Sequence, residues 1–224
     1  MKNILVLKHY KLKNKTVGWP SGTPSPLHRL KVIDAYEEMK YMCMASAKHF
    51  VLGLDDIVVH NAEVDNIQEA FRQHFYELYD LWKTGDVNIL YADLDVLFVK
   101  KFNWFDMSDY FVMYDPINSG IRYHKYNMDE KLWELAFEMC KNWNFNKWDY
   151  EQDIYKKMWQ QQYIMQSCQN IHPDIYQRLV INRPEYNSVE EFFKKNSDCC
   201  AVHFHASRGN KLDHIRRMFN FLKI

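Results

Sequence analysis

The chain lacks net charge, long apolar runs and more than a few glycines. Lysine plus arginine and aspartate plus glutamate each number 29 of its 224 residues, so the formal net charge is zero. Proteins that bind nucleic-acid phosphates usually carry a net basic charge, so we expect no nucleic-acid partner. The 47% of hydrophobic residues exclude disorder for most of the chain. No run approaches the about 20 apolar residues of a transmembrane helix. The apolar run at residues 4–7 is too short for a signal peptide and predicts a strand.

Cysteines are also few, and their number and spacing do not suggest a disulfide framework. The five cysteines are odd in number and show no Cys-x-x-Cys spacing. This favours free thiols in a reducing compartment over a disulfide framework. We therefore expect a cytoplasmic protein with one domain that spans residues 1–224.

Apolar periodicity predicts strands that alternate with helices. Strands are predicted at residues 4–7, 87–92, 110–114 and 199–205, with one or two more at 49–54 and 56–60. Helices are predicted at residues 27–47, 66–83, 128–143, about 150–159, 188–195 and 212–222. Residues 118–123 are predicted to be a turn that leads into a strand, and Ser188 with Glu191 has the spacing of a capping box. The alternation predicts an α/β fold with a mostly parallel central sheet flanked by helices.

Two carboxylates interrupt a buried apolar run. Asp93 and Asp95 follow the strand at residues 87–92 directly and precede a second apolar run at residues 96–98. In extended backbone, residues two apart point the same way, so both carboxylates could bind one divalent cation. Unpaired buried carboxylates are costly, so a counter-ion is expected. A structural turn is the alternative interpretation.

A second polar cluster lies near the end of the chain. His203 and His205 share one face of a predicted strand, and imidazole suits a transition-type ion such as Mn²⁺. Arg208 and Lys211 follow on the next loop, where they could bind phosphate oxygens. Two further polar segments can be explained without a ligand. Turn chemistry accounts for residues 118–120, and the helix dipole accounts for the acidic residues at 149–153.

Taken in order, these segments resemble those of GT-A fold glycosyltransferases. Residues 88–98 look like the Asp-x-Asp segment of those enzymes, and residues 118–121 are similar to their Asn-x-Gly segment. Residues 151–154 resemble the Asp-Gln-Asp segment of the glycogenin-like and galactosyltransferase-like retaining families. Residues 202–211 are similar to their late His-Phe-x-Gly-x-x-Lys element. The small size resembles compact chlorovirus-type glycosyltransferase domains, which suggests a viral or phage-like setting.

The resemblance implies a GT-A (Rossmann-like nucleotide-diphospho-sugar transferase) fold. It also implies a metal-dependent hexosyltransferase, retaining rather than inverting. Such an enzyme moves a sugar from a nucleotide diphosphate donor, a UDP-sugar, to a glycan or protein acceptor. The implied cofactor is Mn²⁺ or Mg²⁺, bound by Asp93, Asp95 and either His203 or His205. The implied donor-binding residues are Lys8, Tyr10, Arg72, Asp93, Asn118, Ser119, Gly120, Arg208 and Lys211. The implied catalytic residues are Glu151, Gln152 and Asp153.

The sequence departs from the family pattern at two of these segments. Glu151 stands where the family has aspartate, which lengthens the reach towards a sugar hydroxyl. The glycine after the family's His-Phe pair is missing, since Ala206 stands nearby. The His-Phe pairing favours His203 as the metal ligand, whereas the six-residue spacing to Lys211 and the closeness to the strand end favour His205. Of the two, we expect His205 to bind the metal.

Two other functions remain as alternatives. Asp93 and Asp95 also match the nucleophile segment of haloacid-dehalogenase-like Mg²⁺-dependent phosphatases, although that motif normally opens its domain. The chain could instead be a non-catalytic module that binds a sugar nucleotide or a partner. Residues 211–224 have the pattern of an amphipathic basic helix, which could contact a membrane peripherally but is more simply explained by packing on the sheet.

Overall fold

The structure is a computed structural model. It describes residues 1–13, 26–65, 67–107, 111–114, 118–142, 168–171, 176–180, 188–205 and 211–224. The described elements are β1 (Lys2–Leu12), α1 (Pro26–Phe50), β2 (Asp56–Val64), α2 (Ile67–Trp82), β3 (Val87–Ala92), β4 (Val96–Phe98), β5 (Phe111–Tyr114), β6 (Asn118–His124), α3 (Lys131–Asn142), β7 (Cys168–Ile171), β8 (Tyr176–Val180), α4 (Val189–Lys195), β9 (Ala201–His205) and α5 (Lys211–Leu222).

The described strands form a large and a small sheet. The large sheet has the order β2-β1-β3-β6-β5-β7, and every strand in it except β6 runs in the same direction. The small sheet has the order β4-β9-β8, with β4 antiparallel to β9 and β8 parallel to it. The predicted α/β class with a mostly parallel central sheet is therefore confirmed.

Helices cover both faces of the large sheet, which is why β3 is buried along its whole length. Alternate side chains of β1 enter different cores. Leu5 and Leu7 pack in the cluster that includes α1 and the small sheet, whereas Ile4 and Val6 pack with α2 and α3. The alternation follows from the two-residue repeat of a strand. In β3 the same alternation sends Tyr91 to the α2 side.

Several local predictions agree closely with the structure. The strand at residues 87–92 is β3, and the helix at residues 66–83 is α2. Helix α4 begins after Ser188, whose hydroxyl accepts a hydrogen bond from the backbone N–H of Glu191, as its capping spacing predicts. The helix predicted at about 150–159 lies outside the described residues.

Other local predictions were wrong. Residues 49–54 are not a strand, because α1 continues to Phe50 and the chain then turns through Gly53 with a φ of 72°. Residues 118–123 are not a turn but form most of β6, whose backbone pairs with β3 on one side and β5 on the other. Strands β4, β7 and β8 were not predicted; each is only three to five residues long, so its apolar pattern is brief.

Helix α5 packs onto the domain through its apolar face. Ile215 and Met218 are buried in the main core, and Leu212, Phe219 and Leu222 lie partly buried against it. Arg216 binds Glu38 of α1 with two hydrogen bonds, of 2.6 and 2.5 Å. This packing occupies the face that a membrane would have to meet. Within the described part of the chain, no helix has both the length and the apolar character needed to cross a bilayer.

Candidate functional site

The site lies where β3 ends and the chain crosses to the small sheet. Asp93 follows β3, and its backbone N–H donates to the carbonyl of Gly120 at 2.8 Å. The N–H of Val96 donates back to the Asp93 carbonyl at 3.1 Å, which closes a tight turn around Asp95. Carboxyl ends of parallel strands are where α/β sheets place their ligands. The turn therefore presents both carboxylates at that edge.

Strand pairing brings a histidine to the two acids. Val96 of β4 is paired with His203 of β9, and the N–H of Phe204 donates to the Asp95 carbonyl at 2.9 Å. As a result His203 Nε2 lies 3.1 Å from Asp95 Oδ1 and 3.7 Å from Asp93 Oδ2. One ligand atom from each of the three residues falls within 4.8 Å of the others, so the group could hold a metal ion. Carboxylate oxygen and imidazole nitrogen suit a divalent cation such as Mn²⁺.

Lys211, the first residue of α5, is the second partner of Asp95. Its Nζ lies 2.5 Å from Asp95 Oδ2, and both side chains are largely buried, 16% and 11% exposed. The counter-ion that the sequence predicts for the buried acids is thus supplied within the chain by Lys211. Among the described side chains, His203 lies against one carboxylate oxygen of Asp95 and Lys211 lies against the other.

The pKa shifts of this pair follow from burial and charge. Burial alone would raise the pKa of Asp95, but the charge of Lys211 and the neighbouring His203 outweigh it and hold that pKa well below its usual range. Burial alone would lower the pKa of Lys211, and the Asp95 carboxylate outweighs this and raises the pKa above its usual range. Both groups are therefore charged at neutral pH.

Helix α1 forms the back wall of the site, which sequence reasoning missed. Burial raises the pKa of Tyr36, and the nearby carboxylates of Asp95 and Asp93 raise it further, so its phenol stays neutral beside the acids. About two helical turns further along, on the same face of α1, the Cys43 thiol lies 3.9 Å from the Asp93 carbonyl oxygen. Burial and the two carboxylates raise the pKa of Cys43, so its thiol is unreactive. The seven-residue spacing of Tyr36 and Cys43 was the available signal.

The point at which β1 stops pairing with β3 lies beside the carboxyl end of β3. The last β1–β3 pair is Leu7 with Ala92, so Lys8 is one residue beyond it, and its Nζ lies 5.8 Å from the centre of the Tyr91 ring. The Tyr10 hydroxyl donates to Glu77 of α2, so its hydroxyl is engaged by that helix. Arg72 lies on the exposed side of α2. The structure thus places Lys8 beside the Tyr91 ring and turns Tyr10 towards α2.

The remaining predicted site residues are only partly described. Gly120 is buried and holds Asp93 through its carbonyl, whereas Asn118 and Ser119 are described only as backbone of β6. His203 lies against both acids. The side chain of His205, the other predicted metal ligand, lies outside the described residues. Glu151, Gln152, Asp153 and Arg208 lie outside the described residues altogether.

Solved structures share this architecture, which is the GT-A fold of glycosyltransferases. A glycosyltransferase involved in the glycosylation of the major capsid of PBCV-1 matches with a TM-score of 0.61 and 12% identity, over 96% of this chain and 100% of that one. The galactosyltransferase LgtC, solved with donor and acceptor sugar analogues, matches with a TM-score of 0.53 and 10% identity, over 99% and 96% of the chains.

A third match adds the same fold in a longer protein. The apo-form glycosyltransferase GlyE of Streptococcus pneumoniae TIGR4 has a TM-score of 0.54 and 12% identity, over 99% of this chain and 62% of that one. No protein-family model matches the sequence, and no curated protein matches it. At identities this low, the likeness establishes the fold, and the chemistry has to be argued from the site.

Proposed function

We propose that the chain is a metal-dependent glycosyltransferase that moves a sugar from a nucleotide diphosphate donor, a UDP-sugar, to a hydroxyl of a glycan or protein acceptor. The observation that supports this most is the Asp93–Asp95–His203 group, with Lys211 against it, at the carboxyl end of β3 in a GT-A fold. A cation-binding group next to a positively charged side chain is an arrangement that can stabilise a departing diphosphate.

The metal-binding group matches the expected cofactor in its donor set. Asp93, Asp95 and His203 would hold Mn²⁺ or Mg²⁺, which when bound supplies positive charge to two phosphates. Two carboxylate oxygens and one imidazole leave the remaining ligand positions to phosphate oxygen and water. Mn²⁺ is favoured over Mg²⁺ because imidazole is a better ligand for the transition metal.

Lys211 has two roles in this proposal. In the structure it neutralises Asp95, with 16% of its side chain exposed. When a donor binds, its ammonium is close enough to the cation-binding group to bind a diphosphate oxygen, so it stabilises the negative charge that builds up on the leaving group. We propose that Arg208, from the adjacent segment, assists it.

The other predicted residues keep their proposed roles on the donor and acceptor. Lys8 would lie near the phosphates and Tyr10 near the base, both from the carboxyl-terminal half of β1. Arg72, Asn118, Ser119 and Gly120 would orient the donor sugar. Glu151, Gln152 and Asp153 would orient the acceptor hydroxyl and flank the anomeric carbon, with retention of configuration as the proposed outcome. One domain spanning residues 1–224 would carry the whole site.

The test is a thermal-unfolding titration with UDP, with GDP and with a neutral nucleoside, each with and without Mn²⁺. A ligand that binds only the native state raises its stability by mass action. We expect a shift that needs both UDP and Mn²⁺, and turnover of a UDP-sugar. Asp93→Asn should abolish the shift, whereas Asp198→Asn, at a surface acid paired with Lys100, should leave it intact.

The outcomes also separate the alternatives. A UDP shift without turnover of any UDP-sugar would favour a non-catalytic binding module. No nucleotide shift, combined with Mg²⁺-dependent hydrolysis of a simple phosphate ester that Asp93→Asn abolishes, would replace the proposal by a phosphatase.

A further inference from the structure

Tyr91 contacts the proposed metal site through Asp93, whereas Lys211 contacts it through Asp95. Its side chain is fully buried, and its hydroxyl donates a 2.5 Å hydrogen bond to Asp93 Oδ1. The other carboxylate oxygen of Asp93, Oδ2, is the one near His203 Nε2. The hydrogen bond therefore fixes which oxygen of Asp93 faces the cation-binding group.

The Tyr91 ring is itself held by its neighbours. Arg122 is paired with Tyr91 across β3 and β6, and its guanidinium carbon lies 3.9 Å from the ring centre. The His74 ring centre lies 4.5 Å from that of Tyr91, and His74 Nε2 lies 2.7 Å from Arg122 Nη2. Burial lowers the pKa of His74 well below its usual value, so its neutral Nε2 accepts the hydrogen bond from the guanidinium. The phenol therefore has one well-defined orientation.

Positive charge around the ring strengthens the bond that its hydroxyl donates. The buried guanidinium of Arg122 lies over the ring, and the Lys8 ammonium lies 5.8 Å from its centre. Cations over an aromatic face are attracted to its electrons. Withdrawal of electron density makes the phenol a better donor to the Asp93 carboxylate, and such charge-assisted hydrogen bonds are short and strong.

We infer that Tyr91 is a positioning residue that orients the Asp93 carboxylate for cation binding. The inference rests on the proposed function, because it assumes that Asp93 binds a metal. Groups that hydrogen-bond a metal ligand orient it, and losing one typically costs 10- to 100-fold in metal affinity. Tyr91 thus extends the site into the core on the α2 side of the sheet.

The test compares two buried tyrosines on neighbouring strands. Tyr91→Phe keeps the ring and its contacts with Arg122 and His74 but removes the hydroxyl. Tyr123→Phe is the matched control, because Tyr123 is also buried and donates one hydrogen bond, to the carbonyl of Phe105 at 3.3 Å. Mn²⁺ affinity is measured by calorimetry on each full-length variant, with thermal unfolding as the check on folding.

We expect Tyr91→Phe to weaken Mn²⁺ binding about tenfold and Tyr123→Phe to leave it unchanged. Incorporation of 4-aminophenylalanine at position 91 restores a hydrogen-bond donor on the same ring and should recover most of the affinity, even if Tyr91→Phe is too unstable to measure. Equal Mn²⁺ affinity for Tyr91→Phe and the unaltered chain would overturn the role of Tyr91 alone. No Mn²⁺ binding by the unaltered chain would overturn the proposed metal site and this inference together.

Discussion

Replacement of Lys211 by methionine perturbs the charge balance of the site without shortening the side chain. The Asp95 carboxylate is only 11% exposed, so loss of Lys211 leaves a buried charge with less compensation. Breaking a buried ion pair in this way costs about 3–5 kcal/mol. We expect the lower end, about 3 kcal/mol, because His203 Nε2 stays 3.1 Å from the other carboxylate oxygen. For a chain of this size, that corresponds to a fall in Tm of roughly 6–12 °C.

The same variant should respond differently to a divalent cation. In the unaltered chain a cation would share the Asp95 carboxylate with the Lys211 ammonium, which lies against Oδ2. In Lys211→Met it meets no competing positive charge, so Mn²⁺ alone should raise the Tm of the variant more than that of the unaltered chain. With UDP added the order should reverse, because the unaltered chain keeps a cation for the diphosphate.

The assay is thermal unfolding, with Lys100→Met as the matched control. Lys100 also pairs with an aspartate, Asp198, but the side chains are 51% and 75% exposed. Exposed pairs contribute about 0–1 kcal/mol, so the control should lose little stability and show no altered response to Mn²⁺. The reasoning fails if Lys211→Met is no less stable than Lys100→Met, or if Mn²⁺ raises both Tm values equally.

The difference in stability between the unaltered chain and Lys211→Met should depend on pH with a defined sign. The pKa of Asp95 is lowered in the folded state, so its stabilising contribution is present above the unfolded value of about 3.9 and is lost as the pH falls further. The pKa of Lys211 is raised, so its contribution is present below about 10.4 and is lost as the pH rises through the folded pKa. The stability difference between the two chains should therefore be constant from about pH 6 to pH 9.

Two further predictions concern the core around the site. Ser46→Ala removes a buried hydroxyl that accepts a hydrogen bond from the Phe98 N–H at 3.2 Å and donates one to the Cys43 carbonyl at 2.8 Å. The free energy of unfolding should therefore fall by about 1–3 kcal/mol. An unchanged Tm would contradict this prediction. Burial lowers the pKa of His124 well below its usual value, so the unfolded chain takes up a proton that the folded chain does not, and stability falls as the pH drops below about 6.5. His124→Phe keeps a ring stacked on Trp133. It should reduce the slope of the unfolding free energy against pH, between about pH 6 and pH 5, by the equivalent of one proton, about 1.4 kcal/mol per pH unit. Denaturant titrations at several pH values measure this slope, and an unchanged slope would mean that His124 is charged in the folded chain.

Local sequence determined the elements whose signals are themselves local. The mostly apolar residues of β3 predicted a buried strand, and the Ser188–Glu191 spacing predicted a helix start, because each signal depends on contacts within a few residues. The spacing of Asp93 and Asp95 likewise placed two carboxylates side by side at a strand end. Through their resemblance to a family, the ordered motifs also predicted Lys211 as a donor-binding residue.

Tertiary structure alone decided how these pieces meet. Lys211 and Asp95 are 116 residues apart, and their ion pair exists because α5 packs on the core beside the β4–β9 pairing. The same pairing, through Val96 and His203, selects the histidine that lies against both acids. Strand register and helix packing bury apolar surface over the whole domain, so contacts between distant residues follow from that global packing and leave no periodic trace in either segment. The hydroxyl of Tyr91 is the clearest case, since its residue is indistinguishable in sequence from any other apolar position of β3.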